Sequence, residues 1–338
     1  MTATAPTTDR KALLDQARST VHKIESRLKH AIRGRDEVIQ LILVAMLADG
    51  HVLLEDYPGS GKTTMAKALG ESIVDDKPDD KIVAYRRIQF TPDLLPSDIT
   101  GVSVFDTETS SFHFRPGPIF AHVLLADEIN RTSPKVQAAM LEAMAEKQVT
   151  VDNLSHALDD LFFVIATQNP RDQAGTYPLP VAQLDRFLFK IRMDHIEREA
   201  EVDVLRSYKD RRGSVPARDL PQVTRTQFLK ARRAIDEHIY IDPRLQDCLV
   251  DMARALRSSP QVAQGVSTRS LVLMMPALQA LALLKGRDFV IPEDVSSLAP
   301  HVFSHRLELA PGVDNAAEVI KECGRPALEI LTRSTLKG

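Results

Sequence analysis

Apolar and polar positions follow two alternating patterns in the first half of this chain. Three short, uninterrupted apolar runs, at residues 51–54, 122–126 and 161–166, have the length of buried strands. The segments before and between them place apolar residues at helical spacing, at 11–31, 38–47, 65–69 and 135–147. Buried strands that alternate with helices are typical of a parallel sheet covered on both faces. We therefore predict an α/β core.

Other segments extend this plan and give it boundaries. Residues 82–90 indicate a further strand, followed by a loop rich in Pro and Asp up to Gly101, and residues 148–151 alternate like a short strand. After residue 195 the pattern changes to helices separated by Pro, Gly and Asp, with little strand. The predicted division is a disordered tip at 1–10, a core at 11–195 and a helical lid domain at 196–338.

Composition restricts the classes of function. The chain has 338 residues, a formal net charge of −3 and a pI near 6.4, which is not the basic footprint of a nucleic-acid-binding protein. The polar N-terminus shows no secretory signal, and the longest apolar stretch, 271–284, is interrupted by Pro276 and too short to span a bilayer. The two cysteines suit a reducing compartment. We expect a cytoplasmic protein without a membrane span, and nucleic acid is not the expected partner.

A glycine-rich loop follows the first apolar run. Residues 59–61 (Gly-Ser-Gly) lead into Lys62, Thr63 and Thr64 at the start of a predicted helix. Strand, glycine-rich loop and helix in this order form a phosphate cradle, because loop amides and the helix N-terminus attract an anion. Lys62 can then contact the β- and γ-phosphates of a nucleotide, and the Thr63 hydroxyl can bind Mg²⁺. The alternative is a turn that carries a lysine by chance.

One position departs from the general phosphate-loop pattern G-x-x-x-x-G-K-[ST]. Asp56 stands where the first glycine is expected. Aspartate tolerates a positive φ better than most residues that have a side chain. We therefore keep the assignment and expect the Asp56 carboxylate to point away from the phosphates.

Two adjacent carboxylates, Asp127 and Glu128, end the second apolar run. Asp127 is placed to hold Mg²⁺ directly or through water, and Glu128 could orient and polarise an attacking water. The end of a strand points successive side chains to opposite sides, which suits these two roles. The alternative is a helix N-cap followed by an acid in the first helical turn.

Three further polar residues are candidates for the reaction. Asn169 follows the third apolar run and could hydrogen-bond the γ-phosphate or its water, although Asn-Pro also suits an ordinary loop. Arg186 is either a surface residue in an ion pair or an arginine finger supplied to a neighbouring subunit. Ser267 can cap a helix whose first turn contains Arg269, where the helix dipole disfavours a cation. A phosphate across the cleft would explain that placement, and a solvated arginine is the alternative.

These motifs together resemble those of the AAA+ ATPases, and specifically of the MoxR family. The matching segments span about residues 11–310 and lie at 54–63, 89–98, 126–131, 166–170, 184–187, 265–270, 286–295 and 305–307. A phosphate loop that opens with Glu-Asp is common in this family, whereas Thr268 stands where the family often has Pro. The resemblance implies an αβα core around a parallel five-stranded sheet, as in P-loop NTPases, followed by a smaller all-α lid domain.

The resemblance also implies roles for particular residues. Asn169 would be sensor 1, Arg269 sensor 2 and Arg186 a finger acting in trans, with Arg131 as a weaker interface candidate. The predicted catalytic residues are Lys62, Glu128, Asn169, Arg186 and Arg269. The predicted metal ligands are Thr63 and Asp127. The residues predicted to bind ATP are Arg33, Gly34, Tyr57, Pro58, Gly59, Ser60, Gly61, Lys62, Thr63, Thr64, Asp127 and Arg269.

Two inserted segments are also expected from the resemblance. Residues 90–120 match the family's helix-2 insert, in which the alternation at 112–114 indicates a strand. A hairpin would open at 149–152. In related motors such inserts face the pore of a ring or its partner.

The implied activity is Mg²⁺-dependent hydrolysis of ATP by a homo-oligomeric ring, with six subunits expected. Relatives act in the maturation of protein complexes and in metal-cofactor insertion, often beside proteins with a von Willebrand factor A domain. The leading hypothesis is therefore a chaperone-like remodelling or assembly motor. The alternatives are a metal-chelatase-type motor subunit, a motor stimulated by nucleic acid, and a nucleotide-gated scaffold that scarcely hydrolyses ATP.

Overall fold

The structure of this chain is a computed structural model that describes residues 7–55, 59–76, 81–169, 175–207 and 220–335. Among the residues singled out above, Asp56, Tyr57 and Pro58 lie outside the described residues. Residues 1–6 of the predicted tip also lie outside them.

Five parallel strands, numbered in chain order, form the central sheet. In spatial order they are β10 (Phe189–Arg192), β1 (Val52–Glu55), β9 (Phe163–Gln168), β6 (Ala121–Asp127) and β3 (Val83–Gln89). Strands β1, β9 and β6 lie in the middle and are buried along almost their whole length, which explains their uninterrupted apolar runs. Strand β3 lies at an edge and is largely exposed. The predicted five-stranded parallel sheet is confirmed.

The two faces of the sheet bury separate apolar cores. Successive residues of β6 alternate between them, so that Val123 and Leu125 pack in one core and Leu124 and Ala126 in the other. The first core is covered by helices α1 (Thr7–Ala31), α2 (Asp36–Leu47) and α3 (Lys62–Glu71). The second is covered by α4 (Pro96–Thr100) and α5 (Pro134–Glu146).

The N-terminal helix begins earlier than predicted. Helix α1 starts at Thr7, so the last four residues of the predicted disordered tip are helical. Arg10 explains the difference, because it donates to the His238 carbonyl oxygen at 2.9 Å and lies 3.4 Å from the Asp288 carboxylate. These contacts fix the first turns of α1 against the C-terminal part of the chain.

The predicted loop before Gly101 contains a helical turn. Pro96 is the first residue of α4, where its fixed φ suits a helix start. The Asp98 side chain accepts the Leu95 N–H at 2.8 Å. The Pro and Asp residues that predicted a loop therefore start a short helix.

Two antiparallel hairpins project from the core. One joins β4 (Gly101–Asp106) to β5 (Ser111–Pro116), and the other joins β7 (Gln148–Val151) to β8 (Leu154–Ala157). The Phe114 ring, in β5, stacks on that of His156, in β8, with ring centroids 3.7 Å apart. The predicted strand at 112–114 and the predicted hairpin at 149–152 are confirmed.

Helices dominate the C-terminal part of the described chain. Helix α6 (Val181–Leu184) precedes β10, and the helices after it are α7 (Arg198–Arg206), α8 (Arg225–His238), α9 (Pro243–Ser258), α10 (Thr268–Leu284), α11 (Pro292–Phe303) and α12 (Ala316–Thr335). Short strands pair as β2 (Ile73–Val74) with β11 (Val223–Thr224) and β12 (Val262–Gln264) with β13 (Glu308–Leu309). Helix α8 packs against α1, and α10 packs against α2. The domain boundary near residue 195, between β10 and α7, stays a prediction.

In the part of the chain that the structure describes, no helix combines the length and apolar character needed to cross a membrane. Cys248, in α9, is buried, Cys323, in α12, is half-buried, and neither is in a disulfide.

The predicted site residues lie at both ends of the central sheet. At its carboxyl end, the glycine-rich loop follows β1, Asp127 finishes β6 and Asn169 follows β9. At its amino end, residues 185–188 lead into β10, and the Leu188 N–H donates to the His51 carbonyl oxygen at 2.8 Å just before β1 starts. The predicted site residues divide between these two ends.

Candidate active site

The glycine-rich loop has the backbone geometry of a phosphate cradle. Gly59 and Gly61 have φ of 90° and 92°, a left-handed region that residues with a side chain rarely adopt. Gly61 is the N-cap of α3, which begins at Lys62. The first amides of a helix lack intrahelical acceptors and therefore suit an anion.

Lys62 and Asp127 meet at the carboxyl end of the sheet. Lys62 Nζ lies 3.0 Å from Asp127 Oδ1, which also accepts the Thr167 hydroxyl at 2.7 Å. Arg87 donates to the other oxygen, Oδ2, at 2.6 Å. Burial raises the pKa of Asp127, but the hydrogen bonds from Thr167, Arg87 and Lys62 outweigh it, so the net pKa is below its usual range. Asp127 is therefore a buried, ionised carboxylate, as a metal ligand has to be.

Glu128 diverges from Asp127 through a backbone turn. Its φ of 59° and ψ of 49° are left-handed, a strained conformation that clusters at functional sites. The Glu128 N–H donates to the Thr167 hydroxyl oxygen at 2.9 Å, so Thr167 positions both acidic residues. The two carboxylates separate because the chain leaves the strand at Glu128. The prediction that strand alternation separates the two side chains is therefore wrong, because Glu128 lies outside the strand.

The Glu128 carboxylate has two partners within the same chain. Gln89 Nε2 donates to Glu128 Oε2 at 2.8 Å, and Arg131 Nε lies 3.1 Å from the same oxygen. Gln89 and Arg87 lie two residues apart on β3 and point to the same face. Neither they nor Thr167 was predicted as a site residue. The register that pairs Gln89 with Asp127 brings them to the site.

The remaining predicted residues at the carboxyl end of the sheet are Asn169, Thr63 and Thr64. Asn169 directly follows β9, which lies between β1 and β6. Thr63 and Thr64 are in the first turn of α3. Their contacts with a nucleotide stay predictions.

A cavity of about 360 Å³ opens beside the glycine-rich loop. It is lined by the loop, by the segment after α1 and by the segment around α7; its lining residues include Ile32, Arg33, Gly59, Ser60, Gly61, Thr64, Met193 and Ile196. Arg33 therefore lies beside the glycine-rich loop, and its contact with a nucleotide stays a prediction. Gly34 is not part of the lining: with φ of 67°, it packs so closely on α7 that an added Cβ would lie 2.6 Å from Ala200 Cβ. Its observed role is a tight turn.

The two predicted arginines lie at the amino end of the sheet. Arg186 Nη1 donates to the Leu141 carbonyl oxygen at 2.8 Å. Ser267 caps α10 as predicted, and Arg269 lies in the first turn with Nε 3.6 Å from Asp185 Oδ2. One strand length, about 10–13 Å for four residues, separates this end from the glycine-rich loop. Within one chain the structure does not bring Arg186 or Arg269 together with Lys62.

A buried arginine fixes the segment that carries Arg186. Arg306 Nε donates to Asp185 Oδ1 at 2.7 Å, and its Nη2 donates to the Asp185 and Phe187 carbonyl oxygens at 3.0 and 2.7 Å. Its side chain is 2% exposed. Asp185 therefore binds one buried arginine and one exposed arginine, Arg269. Arg306 lies in the motif segment at 305–307, and no role was predicted for it.

Comparison with known proteins identifies the family. The family described as "ATPase family associated with various cellular activities (AAA)" matches residues 51–189, and the AAA lid domain matches residues 254–323. Uncharacterized protein YeaC of Bacillus subtilis is 46% identical, over 86% of this chain and 87% of that protein. Chaperone MoxR1 of Mycobacterium tuberculosis is 38% identical, over 86% of this chain and 76% of that protein.

A solved structure is similar along almost the whole chain. The crystal structure of a candidate ATPase from Cytophaga hutchinsonii has a TM-score of 0.84 and 31% identity, covering 94% of this chain and 97% of that one. The similarity therefore extends over both the sheet-containing part and the C-terminal helical part of the chain. This chain belongs to the MoxR family of AAA+ ATPases.

Proposed function

We propose that this chain hydrolyses ATP to ADP and phosphate with Mg²⁺, as a subunit of a six-membered ring that remodels or assembles a protein partner. The observation that carries the proposal is the group at the carboxyl end of the sheet. There, Lys62, the first residue of a glycine-capped helix, contacts the buried, ionised Asp127, which is followed by the strained Glu128. This arrangement suits phosphoryl transfer to water.

The residues present fit a nucleotide with Mg²⁺. The Thr63 hydroxyl and the Asp127 carboxylate are hard oxygen donors of the kind that Mg²⁺ prefers, with its other positions left to water and phosphate. When bound, the ion would neutralise charge on the β- and γ-phosphate oxygens. Lys62 balances the charge of Asp127 in the structure and would contact the phosphates in the complex. Arg33 lines the adjoining cavity, where the rest of the nucleotide would bind.

Glu128 is the proposed group that orients and polarises the attacking water. In the structure, Gln89 and Arg131 hold its Oε2. To act on water, Glu128 would use an acceptor position that these two contacts leave available. Asn169 would bind the γ-phosphate or the same water from the end of β9.

Arg186 and Arg269 would serve a neighbouring subunit. Both lie at the amino end of the sheet, away from their own glycine-rich loop, and Arg269 is 59% exposed. Placed against the carboxyl end of a neighbour, such cations would stabilise the charge of phosphoryl transfer. Loss of the γ-phosphate would remove these contacts and allow the lid to rotate relative to the core.

A protein client fits the surface better than nucleic acid does. The hairpins expose Phe105 and Phe112, which are 49% and 72% accessible, and the formal net charge of the chain is −3. We propose a cytoplasmic complex whose partner has a von Willebrand factor A domain, as the family resemblance suggests.

Replacing the proposed water-orienting group tests the reaction. The Glu128→Gln variant should bind ATP with Mg²⁺ like the wild type and lose nearly all turnover, because the amide cannot accept a proton from water. Glu142→Gln, an exposed change in α5, is the matched control and should keep normal turnover. Normal turnover in Glu128→Gln would refute the mechanism.

The same variant tests the oligomer and the client. Held in the ATP state, Glu128→Gln should sediment as a ring of six and retain a protein partner during affinity capture. A monomer at all ATP concentrations would refute the ring. Hydrolysis stimulated by DNA and sensitive to salt would favour a nucleic-acid motor instead.

A further inference from the structure

Arg87 connects the two acidic residues of the site. It lies on the edge strand β3, and its Nη2 donates both to Asp127 Oδ2, at 2.6 Å, and to Gln89 Oε1, at 2.8 Å. Lys62 and Thr167 contact the other oxygen of Asp127. Both oxygens of the proposed metal ligand therefore already have partners.

The same arginine fixes the orientation of the Gln89 amide. A guanidinium can only donate hydrogen bonds, so the Gln89 atom that faces Arg87 has to be the carbonyl oxygen. The NH₂ group of Gln89 then faces Glu128, to which it donates at 2.8 Å. Arg87 thus positions Asp127 directly and Glu128 through Gln89.

This arrangement conflicts with a bound divalent cation. A metal bound to Asp127 Oδ2 would share that oxygen with the Arg87 guanidinium, 2.6 Å away, and the two cations would repel each other. Arg87 is 45% exposed, so its guanidinium has room to turn toward solvent. The neighbouring Arg86 points to the opposite face of the strand and makes no such contact with the acidic pair.

We infer that Arg87 is a positioning residue that occupies Asp127 in the metal-free site and has to release it when Mg²⁺ and nucleotide bind. Once Arg87 leaves, the Gln89 carbonyl loses its donor and the amide is free to turn. Glu128 then loses the Gln89 hydrogen bond and keeps its contact with Arg131. Arg87 therefore couples occupancy of the metal position to the readiness of Glu128. This inference rests on the proposed function.

Titration with Mg²⁺ tests it without measuring turnover. A fluorescent N-methylanthraniloyl derivative of ATP is bound to the full chain in EDTA at saturating concentration, and Mg²⁺ is then added. The Mg²⁺ concentration at the midpoint of the signal change should fall about three- to tenfold in Arg87→Ala and Arg87→Gln, the range for a lost charged hydrogen bond at a half-exposed site. Arg87→Gln keeps the side-chain stem, so it serves if Arg87→Ala does not fold.

Arg86→Ala is the matched control, because it removes an equal charge from the same strand and leaves the Asp127 contact intact. The Mg²⁺ midpoint of Arg86→Ala should equal that of the wild type within about twofold, since salt screens the charge of an exposed side chain that does not contact Asp127. If the Mg²⁺ midpoints of Arg87→Ala and Arg87→Gln equal or exceed that of Arg86→Ala, the inference about Arg87 is wrong. The proposed function is not affected by that result. Failure of the wild type to bind the nucleotide overturns the proposed function and, with it, this inference.

Discussion

The two ends of the central sheet differ in how completely one chain builds them. At the carboxyl end, Asp127 is buried, and its carboxylate has partners in Lys62, Thr167 and Arg87. At the amino end, Arg269 is 59% exposed, and its contact with Asp185 is long, at 3.6 Å. A buried and neutralised group is organised before a ligand arrives, whereas an exposed cation can still gain an anionic partner. The comparison supports one end that binds nucleotide and another that completes the site of a neighbour.

The largest expected effect is the loss of turnover when Arg186, at the amino end of the sheet, is replaced. Arg186→Ala should bind ATP normally and lose about 10³- to 10⁵-fold in turnover, the range for an arginine finger. Such a variant retains an intact carboxyl end and lacks only the group that it would supply to its neighbour. Steady-state phosphate release and nucleotide binding, measured on the same preparation, separate the two effects.

Mixing two inactive variants decides whether Arg186 acts in trans. Glu128→Gln has an intact amino end, and Arg186→Ala has an intact carboxyl end. Mixed rings contain interfaces where both intact ends meet, so turnover should return in part when the two proteins are combined. If the mixture stays as inactive as its components although mixed rings have formed, Arg186 does not act on a neighbour.

The residues at the carboxyl end differ in how far the sequence predicts them. Lys62, Asp127 and Glu128 lie in continuous motifs beside apolar runs, so local pattern was sufficient to select them. Arg87 and Gln89 act through the register of β3 against β6, which no local motif encodes. Their spacing of two on a strand was a usable signal, because it places both on one face.

Some features depend on contacts that are remote in sequence. The start of α1 at Thr7 depends on the contact between Arg10 and His238, more than two hundred residues away in sequence. Arg306 stabilises the Asp185 segment only because the chain folds back onto β10. Local periodicity carries no information about such pairs, whereas it predicted the buried strands of the sheet correctly.

The two arginines on Asp185 should separate stability from activity. Arg306→Ala should lower the free energy of unfolding by about 3–5 kcal/mol, since it leaves a carboxylate and several carbonyl groups without their buried donor. Arg269→Ala removes an exposed partner at 3.6 Å and should cost less than about 1 kcal/mol while it reduces turnover. Urea unfolding and phosphate release measure both quantities. Equal losses of stability in the two variants would contradict the distinction.

A smaller effect than the loss of Arg306 is expected from acid at the amino end. His51 precedes β1, and burial lowers its pKa from 6.5 to about 4. Its Nδ1 accepts the Val164 N–H at 3.1 Å, and its Nε2 lies 3.2 Å from the Met144 carbonyl oxygen. The folded chain therefore holds the neutral ring with its proton on Nε2.

Protonation of His51 should weaken the fold as the pH falls. Between about pH 6.5 and pH 4 the unfolded chain binds a proton at this residue and the folded chain does not, so the free energy of unfolding decreases. Relative to His51→Asn, which keeps an acceptor for Val164 and cannot be protonated, the wild type should lose about 2 kcal/mol between about pH 7 and about pH 4.5. His30→Asn, at an exposed position, should follow the wild type. Parallel pH profiles for the wild type and His51→Asn would show that the acid sensitivity arises at other residues.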